Sequence, residues 1–256
     1  MKEPLRVSSR DNPLLVRLRK LAHDGGAYRR LKQLWLEGEH LCSAWRSHGG
    51  VAELALLSEA AWQEAALREL AAAADKVVVV PDLLFAAISS LPSPASIGFV
   101  LALPVPGAIA PDQASIVLDR LQDAGNVGSI LRSAAAFGVR QVLALRGTAA
   151  LWSPKVVRAA MGAHFGLRLI EGLEEADLVA LAVPLVATSS HGGAELASAP
   201  LPRPCAWVLG HEGQGVAASL LARCALRVRI PQPGGEESLN VAAAAAVCLY
   251  ESARRR

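Results

Sequence analysis

The sequence predicts an α/β protein with a C-terminal domain built on a parallel β-sheet and a smaller N-terminal α/β domain. From residue 112 onward, short apolar segments alternate regularly with helical ones. These strand segments are apolar on both faces, which is typical of parallel sheets covered by helices. Three prolines in residues 104–111 interrupt helices and central strands alike, so this segment is predicted to be a linker between domains 1–103 and 112–256.

The C-terminal domain is expected to contain six strands and five helices. The strands are predicted at 115–118, 141–145, 167–170, 185–187, 206–209 and 226–230. The helices are predicted at 127–137, 155–163, 173–181, 216–223 and 239–252. Because parallel sheets bind ligands beyond the carboxyl ends of their strands, a site is expected in the loops that follow these strands.

The N-terminal domain shows a less regular mixture of strands and helices. Its strands are predicted at 34–36, 54–57, 76–80 and 98–103, and its helices at 13–23, 39–47, 59–73 and 81–89. Residues 1–32 contain nine Lys or Arg and three Asp or Glu, a net +6 in a chain of net +3, so the remainder carries −3. Such a segment is typical of binding to a phosphate backbone, and an ordinary solvated helix face has the same composition.

Composition also limits the class of protein. Although 52% of the residues are hydrophobic, no run reaches the roughly 18 apolar residues of a membrane span, and the N-terminus lacks a signal-peptide core. Cys42, Cys205, Cys224 and Cys248 lack metal-binding spacing, so we expect reduced thiols, no metal site and a cytoplasmic protein.

The first loop that could form part of a functional site follows the strand at 115–118. An Asp- and Gly-containing turn leads into a helix for which Asn126 is the predicted N-cap and Gly138 the terminating residue. Ser129 and Arg132 fall on one face of this helix, where an arginine near the N-terminus is well placed to hold a phosphate. A capped amphipathic helix with a surface arginine has the same pattern.

Two further loops follow strands of the same sheet. Residues 210–215 read Gly-His-Glu-Gly-Gln-Gly, in which glycines allow close approach of a ligand to the backbone around Glu212. Residues 230–241 lead into an alanine-rich helix, and Ser238 and Asn240 are both candidates for its N-cap. Each loop alone is ambiguous, but the carboxyl ends of parallel strands share one edge, so the three are expected to converge.

Taken together, the motifs resemble those of the SpoU/TrmH family of RNA 2′-O-methyltransferases. The likeness rests on N-x-G-x-x-x-R at 126–132, G-H-E-G-Q-G at 210–215 and I-P through S-L-N-V at 230–241. Residues 153–163 are similar to the family's intervening S-x-K-x-x-R-x-S-x-G stretch, and residues around Ser9, Asn12 and 36–38 to its small substrate-binding domain. Two positions depart from the pattern: His211 replaces the usual Asn, and Ala160 a frequent Ser.

The resemblance implies a fold, a cofactor and a set of site residues. It implies a deep trefoil knot in the C-terminal domain and a homodimer formed through that domain. It implies S-adenosyl-L-methionine bound around Thr188, Gly210, Ile230 and Leu239. The catalytic residues would be Arg132, Asn126, Glu212, Ser238 and Asn240, and the RNA-binding residues Arg10, Arg29, Arg30, Lys155 and Arg158.

The expected activity is 2′-O-ribose methylation of structured RNA, with 23S-type ribosomal RNA favoured by the appended N-terminal domain and transfer RNA as the alternative. Only 4% of the residues are aromatic, so phosphate and shape contacts are expected to dominate over base stacking. Guanidinium groups stay protonated in proteins, which favours Arg132 as a phosphate anchor that polarises the hydroxyl over Arg132 as a base.

Two other functions fit parts of the pattern. A nicotinamide-dependent oxidoreductase would need GxGxxG after a strand and an acidic residue about twenty positions later, and the sequence has no such arrangement. A non-catalytic RNA-binding protein could use the basic N-terminal segment alone. The joint presence of Asn126, Arg132, Glu212, Ser238 and Asn240 favours an enzyme.

Overall fold

In a computed structural model of the chain, which describes residues 3–189, 192–234 and 238–255, the polypeptide forms two compact units. The first comprises the described residues up to Val105 together with Trp152–Phe165. The second comprises Pro106–Leu151 and the described residues from Gly166 onward. The segment Trp152–Phe165, which the sequence analysis placed inside the 112–256 domain, therefore packs with the N-terminal unit.

The first unit is built on a five-stranded mixed sheet of order β1-β4-β3-β5-β2. Its strands are β1 (Leu5–Arg6), β2 (Gln33–Glu37), β3 (Leu54–Ser58), β4 (Val77–Val80) and β5 (Ile97–Ala102). Its helices are α1 (Pro13–His23), α2 (Ala27–Leu31), α3 (Glu39–Ser47), α4 (Glu59–Gln63), α5 (Ala65–Ala71) and α6 (Asp82–Ala86), with α8 (Pro154–Ala159) from the returning segment. Helix α8 packs on α1 and β2.

The second unit is built on a seven-stranded sheet of order β10-β12-β9-β11-β6-β7-β8 in which every pair is parallel, as predicted. Its strands are β6 (Ser115–Asp119), β7 (Gln141–Leu145), β8 (Arg168–Leu173), β9 (Leu185–Thr188), β10 (Ala194–Glu195), β11 (Ala206–Gly210) and β12 (Leu226–Arg229). Its helices are α7 (Ala124–Ala136), α9 (Ala218–Arg223) and α10 (Val241–Arg254). The trefoil knot stays a prediction.

Local differences from the sequence expectations have identifiable causes. The predicted N-cap Asn126 is wrong: Asp123 accepts a hydrogen bond from the Asn126 backbone N–H at 2.7 Å, so α7 begins at Ala124. The predicted helix at 173–181 is a 3₁₀ helix, Glu175–Ala180. A capping box between Glu174 and Asp177 forms its N-terminus. The predicted helix at 59–73 divides at Glu64, which has an extended backbone.

The four cysteines are free thiols, and no helix in the described part of the chain is long and apolar enough to cross a membrane. Burial raises the pKa of the Cys205 thiol to about 11 and that of Cys248 to about 12. Both thiols are therefore protonated at neutral pH and act as small apolar groups in the core.

The end of α10 is fixed to the rest of the second unit by Arg255. Its guanidinium donates to the carbonyl oxygens of Leu196 and Ala199, each at 2.6 Å, and to the Glu251 carboxylate at 2.6 Å. The indole N–H of Trp207, on the central strand β11, donates to the Ser252 hydroxyl at 3.0 Å. These contacts hold the C-terminal helix across the sheet that carries the loops described below.

We expect Arg255→Ala to lower the free energy of unfolding by about 2 kcal/mol, because hydrogen bonds from a charged donor to these carbonyls are lost. Denaturant unfolding measures the change. Arg254→Ala is the matched control: Arg254 pairs with Glu251 at 2.7 Å but is more than half exposed, so its loss should cost about 0.5 kcal/mol or less. Equal losses in the two variants would contradict the assigned role of Arg255.

Candidate active site

A cavity of about 520 Å³ opens at the carboxyl edge of the second unit's sheet. It is lined by residues that follow β9, β11 and β12 and by the first turn of α10. The four predicted cofactor-binding residues all line it: Thr188, Gly210, Ile230 and Leu239. Of the predicted catalytic residues, Glu212, Ser238 and Asn240 line it as well. Gly235, Glu236 and Glu237 of the third predicted loop lie outside the described residues.

One wall of this cavity is the 210–215 loop, which folds tightly on itself. The backbones of His211 and Gly215 exchange two hydrogen bonds, of 3.1 and 2.8 Å. A Cβ atom at Gly210 would lie 2.1 Å from the backbone nitrogen of Val216, so only glycine permits this turn. The close return of the backbone presents Glu212 towards the start of α7.

Asp119 and Arg120, at the end of β6, fix the other side of this loop and were not singled out from the sequence. Asp119 is 2% exposed, and its carboxylate accepts from the Ala217 backbone N–H at 2.7 Å and from Arg120 Nε at 2.8 Å. Arg120, in the left-handed region at φ 59°, also donates to Gln214 Oε1 at 3.2 Å. The only signal in the sequence was an acidic residue directly after an apolar strand.

Asn240, Asn126 and Glu212 form a polar triplet that joins all three predicted loops. The Asn240 side-chain oxygen accepts from the backbone N–H groups of Ala242 and Ala243 at 2.9 and 3.3 Å, so Asn240 is the N-cap of α10. Its amide nitrogen donates to Asn126 Oδ1 at 2.9 Å, and Asn126 Nδ2 donates to Glu212 Oε1 at 3.2 Å. Because capping uses the side-chain oxygen of Asn240 as an acceptor, its amide nitrogen is left to donate to Asn126. The Asn126 oxygen is then the acceptor of that bond, so its amide nitrogen is left to donate to Glu212.

Glu212 ends the polar triplet as an acceptor. Its carboxylate also accepts from the backbone N–H groups of Gln122 and Asp123 at 3.3 and 3.2 Å. Burial acts to raise the pKa of Glu212, but hydrogen bonds from its own backbone, Asn126, Asp123 and Gln122 outweigh it and hold this pKa below its usual range. Glu212 is therefore ionised at neutral pH and ties the 210–215 loop to the start of α7.

Arg132 and Ser238 stand apart from the polar triplet. Arg132 is exposed on α7, is not among the cavity-lining residues, and its side chain has no hydrogen bond or ion pair within the described part of the chain. Ser238 is exposed and lines the cavity, whereas the capping role belongs to Asn240. The guanidinium of Arg132 is thus available to an external anion.

The predicted RNA-binding residues all belong to the first unit, because Trp152–Phe165 carries Lys155 and Arg158 into it. All five are exposed: Arg10, Arg29, Arg30, Lys155 and Arg158. Arg30 forms an ion pair with Asp24, and the Arg29 guanidinium lies 5.0 Å from the centre of the Tyr28 ring. The ion pair offsets the charge of Arg30, so its attraction for phosphate is weaker than that of an unpaired arginine.

We expect Glu212→Gln to lower the free energy of unfolding by about 1 kcal/mol at pH 7, because the amide nitrogen cannot accept one of the N–H bonds. As pH falls through the lowered pKa of Glu212, the wild-type carboxylate becomes protonated and stabilises the fold less. The difference in free energy of unfolding between the wild type and the variant should therefore shrink in acid. Unfolding at several pH values measures this. Glu64→Gln, at an exposed residue whose side chain caps no helix, is the control; a pH-independent difference for Glu212→Gln would contradict the prediction.

Comparison with known proteins identifies relatives of this chain. Residues 113–250 match the model of the SpoU rRNA methylase family. A Synechocystis protein named as an uncharacterized tRNA/rRNA methyltransferase is 34% identical over 98% of this chain and 94% of its own length. The 23S rRNA (guanosine(2553)-2′-O)-methyltransferase of Bacillus subtilis is 32% identical over 84% of this chain and 86% of its own.

Solved structures give the same result for the fold. The S-adenosylmethionine-bound rRNA methyltransferase of Sinorhizobium meliloti superposes with a TM-score of 0.83 at 25% identity, covering 98% of this chain and 97% of the other. The family match spans more than half of the sequence and includes β6, α7, β11 and most of α10, which together carry the polar triplet. The chain belongs to the SpoU rRNA methylase family.

Proposed function

We propose that this protein transfers a methyl group from S-adenosylmethionine to the 2′-hydroxyl of a ribose in RNA, with 23S-type ribosomal RNA in the cytoplasm as its substrate. The observation that carries the proposal is the polar triplet. It brings Asn126, Glu212 and Asn240, from three separate loops, together beside a cavity of ligand size. A non-catalytic RNA-binding protein would have no use for this arrangement.

The cavity fits the cofactor by size and by the nature of its walls. Small-molecule sites usually enclose about 300–1,000 Å³, and this one encloses about 520 Å³. Val228, Ile230 and Leu239 provide apolar surface, while Thr188 and the backbone of 210–215 provide polar groups. We assign Thr188, Gly210, Ile230 and Leu239 to hold the cofactor, in line with the bound cofactor of the Sinorhizobium relative.

When bound, S-adenosylmethionine supplies an electrophilic methyl group on a sulfonium. The chain's own residues then have to place a ribose hydroxyl against it, and positioning of this kind contributes much of the rate acceleration in group transfer. We assign Arg132 to the phosphate next to the target ribose, because its guanidinium is exposed and unpaired within the described part of the chain. From there it polarises the 2′-hydroxyl, whose proton passes to solvent water and not to the guanidinium when the oxygen takes up the methyl group.

Asn126, Glu212, Asn240 and Ser238 have supporting roles in this proposal. The polar triplet holds the start of α7, and hence Arg132 two turns later, at a fixed position relative to the 210–215 loop. Ser238 offers an exposed hydroxyl in the cavity for the ribose or the cofactor. Such support from neighbouring hydrogen bonds is what a site needs in order to stay aligned.

Ribosomal RNA is favoured over transfer RNA because the Bacillus 23S rRNA enzyme matches 84% of this chain, far more than the catalytic unit alone. The first unit would then bind RNA through Arg10, Arg29, Arg30, Lys155 and Arg158. Transfer RNA is the alternative substrate.

We further propose a homodimer formed through the second unit. Helix α10 leaves Val247 and Tyr250 41% and 55% exposed, an apolar face that a second copy would cover. The expected result is a dimer mass by light scattering at micromolar concentration, reduced to the monomer mass by Val247→Glu. A wild-type monomer would contradict this assignment and leave the proposed chemistry untouched.

The catalytic proposal predicts a result in cells. Deletion of the gene should remove one 2′-O-methyl mark from 23S rRNA, mapped by ribose-methylation sequencing of rRNA and tRNA. Wild-type protein and Arg146→Ala, at an exposed arginine paired with Glu174, should restore the mark. Arg132→Ala should fail to restore it, with methyl transfer in vitro reduced at least about a hundredfold, because the ribose is no longer held in position.

The outcomes separate the candidate functions. Loss of a tRNA mark would select the alternative substrate, and loss of no mark would contradict the enzyme assignment. Arg132→Lys separates the roles of the arginine: a phosphate anchor predicts reduced activity with an unchanged pH–rate profile, whereas a base predicts a profile shifted to lower pH.

A further inference from the structure

His211 occupies the first turn of the 210–215 loop, at the position where the family pattern has Asn. Its ring nitrogen Nδ1 accepts hydrogen bonds from the backbone N–H groups of Gly213 and Gln214, at 3.0 and 3.3 Å. Both bonds lie within the loop that lines the cavity and presents Glu212. The imidazole therefore closes the turn through the backbone, while Arg120 binds the side chain of Gln214.

These two bonds explain how a histidine can replace an asparagine here. An Asn side-chain oxygen typically accepts from the backbone N–H two residues later, in an Asx turn. Nδ1 of His211 reaches the same N–H, that of Gly213, and the next one. The geometry of the loop is thus compatible with either residue, but the acceptor atoms differ chemically: an amide oxygen does not titrate, whereas an imidazole nitrogen does.

The acceptor role requires a particular protonation state. In a neutral imidazole one nitrogen carries the proton and the other accepts, so a Nδ1 acceptor places the proton on Nε2. In the imidazolium both nitrogens are donors, and Nδ1 would then face two N–H groups. Protonation therefore removes both hydrogen bonds and leaves the N–H groups of Gly213 and Gln214 without this acceptor.

Charged groups surround the loop in the described part of the chain. They are Glu212 in the loop itself, Asp119 and Arg120 at the end of β6, and Asp123 at the start of α7. The hydrogen bonds described above, against the opposing effect of burial, hold the pKa of Glu212 below its usual range; pairing with Asp119 raises that of Arg120. The described residues of the first turn of α10 add no charge.

We infer that His211 is a positioning residue whose neutral, Nε2-protonated imidazole holds the 210–215 loop closed around the cofactor cavity, so that cofactor binding weakens in mild acid. The inference deepens the proposed function and rests on it for the identity of the ligand. The closed loop is favoured at higher pH, where Nδ1 can accept, and is lost as pH falls. His211 acts on the ligand through the loop backbone and is not assigned to the reacting atoms.

The test has one readout without any ligand and one with S-adenosylmethionine. Amide hydrogen exchange of Gly213 and Gln214 in the free protein, corrected for intrinsic exchange at each pH, should show protection at pH 8 that falls at pH 5.5. Calorimetric titration should show S-adenosylmethionine binding about tenfold more weakly at pH 5.5 than at pH 8, equivalent to about 1.4 kcal/mol and within the range expected for two neutral hydrogen bonds.

Three variants make the test specific. His211→Asn should keep the protection and bind S-adenosylmethionine equally at both pH values, since its amide accepts without titrating. His211→Ala should bind about tenfold more weakly than the wild type at pH 8, with little further change at pH 5.5. His48→Asn, at an exposed histidine of α3's C-terminal end, should behave like the wild type at both.

The two proposals fail in different ways. Protection of Gly213 and Gln214 that does not change with pH, or pH-dependent binding that persists in His211→Asn, would overturn the role of His211. Absence of S-adenosylmethionine binding at any pH, with pH-dependent protection intact, would overturn the proposed function while leaving the loop chemistry of His211 supported.

Discussion

The carboxylate of Glu212 is the constraint on which the site depends. It is an acceptor for Asn126 and for the backbone N–H groups of Gln122 and Asp123. A carboxylate can accept about four hydrogen bonds on its two oxygens, whereas a neutral amide of similar size accepts on only one oxygen. One ionised group thus connects loops that are far apart in the sequence, and it is the final acceptor of the polar triplet.

The donor-to-acceptor order of the polar triplet is set at the N-terminus of α10. A helix N-terminus leaves N–H groups without partners inside the helix, and Asn240 accepts two of them. This leaves its amide nitrogen to donate, and the polarity passes through Asn126 to Glu212. The Asn240 side chain therefore has two roles at once: it caps α10, and it positions Asn126 in the site.

The sequence was informative where a pattern repeats and less so where a contact is made between distant segments. Alternation and apolar content were sufficient for the parallel sheet. Of the three predicted loops, those after β11 and β12 line one cavity, whereas the loop after β6 reaches them through the hydrogen bonds of Asn126. The N-cap of α7 was misassigned because Asp123 and Asn126 are both good capping residues. The hydrogen bonds by which Asp119 and Arg120 hold the loop after β11 could not be predicted, because their partners lie almost a hundred residues later in the sequence.

The return of Trp152–Phe165 to the first unit bears on how such a protein can be assembled from modules. In the first unit Phe165 packs edge-on against Trp45 with ring centres 5.1 Å apart, and Gly162 lies close to Ala44. Recombination at the proline-rich segment 104–111 would therefore not exchange one intact module for another, because each half of the gene encodes part of the same core. A new partner for the C-terminal half would have to accommodate the segment Trp152–Phe165 or lose its packing against the first unit.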